Sequence, residues 1–321
     1  MIMIIIRREK REMRKLFSFV LSLCLLIGVF ALPGGMAEAS AGITIKDLAG
    51  RTVTFDRTPQ RVVVLSPGDL HTLQALGVQV VGRPTSATPV DASLQSVPQV
   101  GNIHQPNFEK IVSLQPDVVI AGASFLGHIQ KAQSLGLKVV ITSGSSVNDI
   151  KSSITLLGKL FNKTQKAKVL VGKIDSKVKK YSKTKTKVRA VILFGSGASS
   201  LVALPTSFSG DVLAKAGGEN IAASFSQLKD FPGYANLSTE RIIASNPDVI
   251  FIITHANFAE TKKAMIKLMS TSSWRNLKAV KNKNVIFLPS ELFAASPGVK
   301  ITDALDHMNK ELLKVRGKMK K

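Results

Sequence analysis

Phe108-Glu109-Lys110-Ile111-Val112-Ser113-Leu114-Gln115-Pro116-Asp117-Val118-Val119-Ile120 is answered further along the chain by Thr239-Glu240-Arg241-Ile242-Ile243-Ala244-Ser245-Asn246-Pro247-Asp248-Val249-Ile250-Phe251, at a constant offset. Each copy reads as one unit. Apolar residues at helical spacing follow an acid in the first turn, where the helix dipole favours negative charge. A Pro-Asp turn then feeds a β-branched run of the kind buried on both faces of a parallel sheet. Two such units in one chain predict two similar lobes.

Between the copies, Val147 to Tyr181 is rich in Lys and in Leu, Ile and Val, with no Pro and little Gly. Read as one helix at 1.5 Å per residue it reaches about 50 Å, long enough to be a strut between lobes. The expected division is an N-terminal lobe over 42–146, a connecting helix over 147–187 and a C-terminal lobe over 188–321. Strands are expected at 61–65, 78–81, 117–121, 138–142, 188–194, 248–253 and 284–288. Helices are expected at 69–76, 107–114, 127–135 and 302–315. This alternation is that of parallel sheets covered by helices, an α/β fold.

The N-terminal stretch, Met1 to Ala41, reads differently. Arg7, Arg8, Lys10, Arg11, Arg14 and Lys15 precede an apolar run from Leu16 to Leu32, and Ala37-Glu38-Ala39-Ser40-Ala41 follows. This is the pattern of a secretory signal peptide, cleaved after Ala39 or Ala41. Cys24 is the single cysteine, and Leu23 before it with Leu25-Leu26-Ile27 after it argues against lipidation there. With no other thiol, disulfide scaffolds, Cys-ligated zinc, iron–sulfur clusters and thiol catalysis are excluded. Of the formal charge of +23, +20 remains from Gly42 onward, because six basic and three acidic residues precede it. Two Tyr, one Trp and lysines scattered along the chain argue against nucleic acid as the reason for that excess. A secreted protein beside anionic lipid or an anionic cell wall fits it better.

Several further stretches carry a family resemblance: Asp47-Leu48-Ala49-Gly50-Arg51 with Pro59-Gln60-Arg61-Val62-Val63, Val100-Gly101, Gly210-Asp211-Val212-Leu213, Ala216-Gly217-Gly218-Glu219-Asn220, and Trp274 to Asn284. With the paired units, these make the chain from Thr44 to Val315 resemble the helical-backbone substrate-binding proteins of ABC importers, which carry cobalamin, ferric siderophores or haem. The resemblance implies a class III periplasmic-binding-protein fold, two similar lobes with parallel sheets joined by one long connecting helix. It also implies an ABC permease with its ATPase as partner, with Glu109 and Glu240 as the acids that meet permease arginines. The local alternative is that each acid serves only its own helix terminus.

The histidines address the ligand. His104 stands in the loop before the first repeat helix, and His255 follows the expected strand of the second repeat; ligands in open α/β sheets bind outside the carboxyl ends of strands. One imidazole from each lobe would suit axial ligation of a flat iron porphyrin. The chain is similar in particular to the haem receptors of iron-regulated surface determinant systems. There the second-lobe ligand is a His that His255 matches, and the first-lobe ligand is a Met whose place His104 takes. The resemblance so modified implies His/His ligation of low-spin ferric haem. Tyr234 is a further candidate contact. His71 and His128 read as surface or structural residues, His307 as irrelevant to the groove, and Met265 with Met269 as a core stripe. Helix amides after Ser66-Pro67-Gly68 and Ser207-Phe208-Ser209 are candidate acceptors of haem carboxylates.

Enzyme motifs fail. Gly195-Ser196-Gly197-Ala198-Ser199-Ser200 lacks the third glycine of a dinucleotide fingerprint, and Gly122 to Gly127 has His128 where a P-loop needs Lys. The chain contains no nucleophile elbow and no HExxH. The expectation is therefore a non-enzymatic, secreted, monomeric haem receptor, peripheral to the membrane or wall, fed by haem-donating surface proteins. A ferric siderophore is the alternative ligand, cobalamin a more distant one, and a wall-associated adhesion or hydrolytic domain the alternative from another class.

Overall fold

The computed structural model describes residues 42–86, 90–184, 187–196, 199–254 and 258–319. In chain order its first elements are β1 (Ile43–Lys46), β2 (Thr52–Phe55), β3 (Val62–Val64), α1 (Pro67–Leu76), α2 (Phe108–Ser113), β4 (Val118–Gly122), α3 (Ile129–Ser134) and β5 (Val139–Thr142). The helices α4 (Val147–Leu160) and α5 (Thr164–Ser182) follow. Then come β6 (Val188–Ser196), β7 (Ser199–Ala203), α6 (Phe208–Lys215), β8 (Gly218–Asn220), β9 (Tyr234–Asn236), α7 (Thr239–Ser245) and β10 (Val249–Thr254). The last are α8 (Phe258–Ser270), α9 (Lys278–Lys281), β11 (Val285–Phe287), α10 (Ser290–Phe293) and α11 (Ile301–Met319).

Strands β3, β4 and β5 make a parallel sheet with Val63 opposite Val119 and Ile120 opposite Val140. The second sheet runs β11-β10-β6-β7-β9, with β8 parallel to the amino end of β6. The expected strand at 78–81 is absent as such: Val81 N–H donates to Val62 O and a single bridge joins Gly82 to Val63. Period-2 alternation sorts each sheet into two faces. Val62, Val64, Val118, Ile120 and Val140 share one continuous core with α1, α4, α5, α6, α11 and the β6/β10 face of Val188, Ala190, Ile192, Val249, Phe251 and Ile253. The opposite faces pack on α2 and α3 in the first lobe, and on α7, α8 and Trp274 in the second.

The repeat has a physical reason. Asp117 accepts the backbone N–H groups of Gln60 (2.7 Å) and Arg61 (2.8 Å) at the start of β3, and Asp248 accepts that of Arg189 (3.0 Å) at the start of β6. Each Pro-Asp turn thus ties its own strand to the amino end of the neighbouring parallel strand. The residue before each Pro lies in the left-handed region, Gln115 at φ 44° and Asn246 at φ 42°. These bends close the two short helices, α2 and α7.

The stretch 147–181, expected as one helix, is instead a pair. Asn162 takes φ 53°, Lys163 N–H returns to Gly158 O at 2.7 Å, and Asn162 N–H to Lys159 O, the two bonds of a Schellman stop. Lys151 of α4 then reaches Asp175 of α5 at 2.6 Å, which makes the helices antiparallel. Gly158 allows the tight turn, since a Cβ there would stand 2.3 Å from that of Ala167. Asparagine visits the left-handed region at little cost, so a run without Pro still breaks here. The connecting helix is α5 alone, about 28 Å long by its 19 residues.

The chain crosses between lobes a second time. Residues 296–298 lie across the first lobe so closely that a Cβ on Gly68 would stand 2.3 Å from Ser296 O, and one on Gly298 1.9 Å from Gly68 O. Asp211 of α6 adds a tie by accepting Val147 N–H at 2.8 Å, capping α4 from the other lobe. At the outer edge of the first sheet, Asp47 accepts from Arg51 and from Ile141 N–H, fastening the β1–β2 hairpin to β5.

Candidate ligand-binding site

The second sheet departs from the expected parallel pattern, since β7 runs antiparallel between β6 and β9; the loops that sequence reasoning assigned to the groove follow the carboxyl ends of the parallel first sheet and of the parallel strands β6, β10 and β11 of the second. In the first lobe the ends of β3 and β5 are covered by protein. Gly144 packs on Ser296, and Gly68 on residues 296–298. The α1 N-terminus is therefore not an open anion site. The carboxyl of Asp69 within it is fully buried, bonded by the hydroxyls of Ser66 and Thr142, and burial pushes its pKa up despite those two donors. The other candidate amide site is likewise filled. Ser207 is buried and caps its own helix through Gly210 N–H at 3.0 Å.

What remains at the first sheet is the end of β4. Phe125 and His128 pack with ring centroids 5.3 Å apart, and Phe108 lies 6.3 Å from Phe125 and 6.1 Å from His128. Ile103 reaches Gly122 at the last residue of β4, where a Cβ would stand 3.2 Å from its Cδ1. This contact seats the 101–107 loop over the strand end. The loop is built by Asn102, whose side-chain oxygen accepts the N–H groups of His104 (2.9 Å) and Gln105 (3.0 Å), and by Gly101 at φ 85°. A side chain at Gly101 would also meet Gln105 O at 2.3 Å. His104 is thereby held outward and exposed. His128, read from sequence as surface or structural, packs within this aromatic group.

In the second lobe Tyr234 is half-buried on β9, its ring 5.3 Å from that of Phe194 near the carboxyl end of β6, and burial raises its pKa. β10 ends at Thr254, whose hydroxyl is 3.1 Å from that of Thr261 on α8. His255 follows directly and lies outside the described residues. Beyond it Phe258, more than half exposed, stacks edgewise on Phe287 at 5.5 Å with Lys262 over its ring. Met265 and Met269 are buried core residues, as their spacing implied. His71 is partly buried with its pKa lowered, first by burial and then by Lys300, and His307 packs on Phe293. Glu109 and Glu240 are exposed in the first turns of α2 and α7, behind side-chain caps from Asn107 and Ser238.

The structure therefore packs Phe108, Phe125 and His128 together and seats Ile103 of the His104 loop on the end of β4, and in the second lobe pairs Phe194 with Tyr234 and Phe258 with Phe287. Sequence reasoning missed the phenylalanines. The available signal was that few aromatics exist and that Phe108, Phe125, Phe194 and Phe258 each stand within a few residues of an expected strand end or repeat helix. Other recesses, of about 490–550 Å³, open along β2/β5, between α4 and α5, and where α5 meets Thr302. Among the described residues these touch none of the loops above.

Comparison with known proteins follows the same lines. The periplasmic binding protein family matches residues 62–292. The high-affinity heme uptake system protein IsdE of Staphylococcus aureus is 30% identical over 254 residues, spanning 77% of this chain and 85% of that protein. The crystal structure of S. aureus IsdE complexed with heme superposes with a TM-score of 0.69, covering 78% of this chain and 98% of its own. An ABC transporter substrate-binding protein from Listeria monocytogenes is 25% identical, with a TM-score of 0.70 over 79% of this chain and 98% of its own. The catecholate-siderophore binding protein VctP of Vibrio cholerae, 19% identical, shares the fold with a TM-score of 0.71 over 84% of this chain and 99% of its own. Family match, lobed α/β architecture and connecting helix agree, and the chain belongs to the periplasmic binding protein family as a class III substrate-binding protein of ABC importers.

Proposed function

We propose that this protein binds haem between its lobes and delivers it to a membrane permease for iron acquisition. The observation that carries the reading is the exposed His104 on a loop fastened over the end of β4, while β10 of the other lobe runs directly into His255. In this reading the two imidazoles are the axial ligands of ferric haem, and Tyr234 with Phe194 lines the porphyrin face from the second lobe. The likeness to a protein solved with heme at 30% identity supports the same ligand. Aromatic pairs from both lobes suit a flat, largely apolar ligand better than a hydroxamate or catecholate shell, which would call for cations. Glu109 and Glu240 meet cationic side chains of the permease, one acid per lobe. The segment from Met1 to Ala41 directs secretion and is removed, leaving the carrier at the outer face of the membrane.

Hemin titration of the purified protein, read by absorption beside His104→Ala and His255→Ala, tests this. A saturable six-coordinate low-spin spectrum that turns five-coordinate or vanishes in each variant is expected. Saturable binding untouched by both substitutions would move the ligands elsewhere, with Tyr234→Phe the next variant. Absence of saturable hemin binding, with quenching on adding a ferric siderophore, would replace haem by that class.

A further inference from the structure

From Lys163 to Lys187 the chain holds ten lysines and a single acid, Asp175. The α5 helix folds this stretch into a ridge. Ala167, Ile174 and Tyr181, evenly spaced two turns apart, face the core, and Lys166, Lys168, Lys173, Lys179, Lys180 and the capping Lys183 are exposed. The lone acid is taken by Lys151 of α4, and Asp306 of α11 is taken by Lys177 and the Tyr181 hydroxyl. Among the described residues no carboxylate forms an ion pair with the six exposed lysines.

Position sets this ridge apart from the ligand site. Near its start, Lys166 Nζ approaches Gly77, the residue that closes α1 after that helix has run back from the carboxyl end of β3. At its end, Tyr181 O lies against Gly217, just before β8 and the amino end of β6. The ridge therefore follows the amino ends of both sheets, away from the loops that bear His104 and Tyr234. Glu109 and Glu240 open helices whose N-termini lie on the carboxyl-end side, so a permease meeting them would leave the ridge uncovered.

The chemistry of the face selects its occupant. Lysines on flexible stems read charge without shape, and a protein interface would be expected to add arginine and aromatic anchors, which this face lacks. The exposed apolar residue on it is Val169, too little to enter a bilayer. Among the described residues no exposed aromatic side chain stands there to stack a nucleobase; Tyr181, beneath Lys180, is buried. A single-helix ridge of about 28 Å matches an extended chain bearing regularly spaced anions. We propose that the outer face of α5 binds a linear phosphodiester polymer of the cell envelope and so retains the carrier at the surface while its cleft stays open.

Binding of poly(glycerol phosphate) to the purified protein, measured across about 0.05 to 0.2 M salt, tests this. Six contacts at about 0.7 released counterions each give a log–log salt slope near −4, an affinity change of about 10²-fold over that range. Replacing Lys166, Lys168, Lys173, Lys179, Lys180 and Lys183 by Gln should flatten the slope to within about 1 of zero and weaken low-salt binding about 10²-fold. A charge-matched control with Gln at the exposed Lys131, Lys229, Lys262, Lys263, Lys267 and Lys281 should bind within about threefold of the parent. Should the sextuple variant misfold by circular dichroism, triple variants of each half of the ridge should each halve the slope. Equal losses in ridge and control variants, or binding to phosphatidylglycerol vesicles without binding to the polymer, would overturn the proposal.

Discussion

Replacing the two turn acids of the repeat by Ala separates their contributions. Asp248 is buried, and its carboxylate accepts Arg189 N–H at 3.0 Å and Lys278 Nζ at 2.6 Å. A hydrogen bond from a backbone N–H to a charged acceptor contributes about 1.5–3 kcal/mol, and the half-exposed lysine adds less than about 1 kcal/mol. Asp248→Ala should therefore cost about 2–3 kcal/mol. Asp117 accepts two N–H groups, but Gln60 and Arg61 lie at the surface, where water replaces the lost acceptor. Its removal should cost about 1 kcal/mol. At about 2–4 °C per kcal/mol for a chain of this size, the melting temperatures should fall by roughly 5–10 °C and 2–4 °C. The pH dependence supplies a second readout. The Arg61 N–H bond, ahead of the opposing effect of burial, holds the Asp117 pKa below its ordinary value. A depressed carboxylate stabilises the fold above the unfolded pKa, near 4, and loses that contribution as pH falls through the folded value. The gap between parent and Asp117→Ala should thus close on acidification below about pH 4. Urea and thermal unfolding across pH would measure both effects, and an Asp117→Ala loss equal to or above that of Asp248→Ala would refute the reasoning.

Gln115→Gly should raise stability by about 0.5–1 kcal/mol in urea unfolding, because Gln115 sits at φ 44° where a side chain is strained; a loss of stability would show that its side chain matters more than its backbone. Gly298→Ala should lower stability by at least about 2–3 kcal/mol, since φ is 60° and the new Cβ would overlap Gly68 O; a melting temperature within a degree of the parent would mean the crossing is loose. The chain has two tyrosines, and Tyr181 is pushed up to about 12 by burial and by Asp306, while burial raises Tyr234. Absorbance titration of the folded protein should therefore show both tyrosinate steps above pH 10, the value both recover in denaturant, with that of Tyr181 at about 12, and the stabilisation by neutral Tyr181 should be lost as pH rises from about 10 to about 12.

The paired units were readable because their physics is local: a first-turn acid, a Pro-Asp turn and a β-branched strand are adjacent in the chain. The class of fold followed from them. The break at Phe161-Asn162-Lys163 was hidden because left-handed Asn carries no strong sequence mark and the apolar periodicity resumes within one turn. The 78–81 segment has strand composition, yet it is hydrogen-bonded beside β3 at only a few points. Long-range contacts were hidden altogether. Ser296-Pro297-Gly298 closes over Ser66-Pro67-Gly68 and fills a helix N-terminus that looked open, a contact between segments near opposite ends of the folded chain. His104 lies in a loop that the sequence could place because the repeat helix begins just after it, whereas Phe108, Phe125 and His128 pack together from separate segments.

The two crossings grip the first lobe at opposite ends. α5 runs along the amino ends of its strands, and residues 296–298 press on the loops at the carboxyl ends of β3 and β5. A body pinned at two separated points keeps one rotational freedom, about the line joining them. Sliding and twisting of one lobe past the other would break backbone packed on backbone, which leaves rotation about that line as the least obstructed motion. Glu109 and Glu240, in the first turns of helices that open on the carboxyl-end side, would move with the rim, so their separation would report any such rotation.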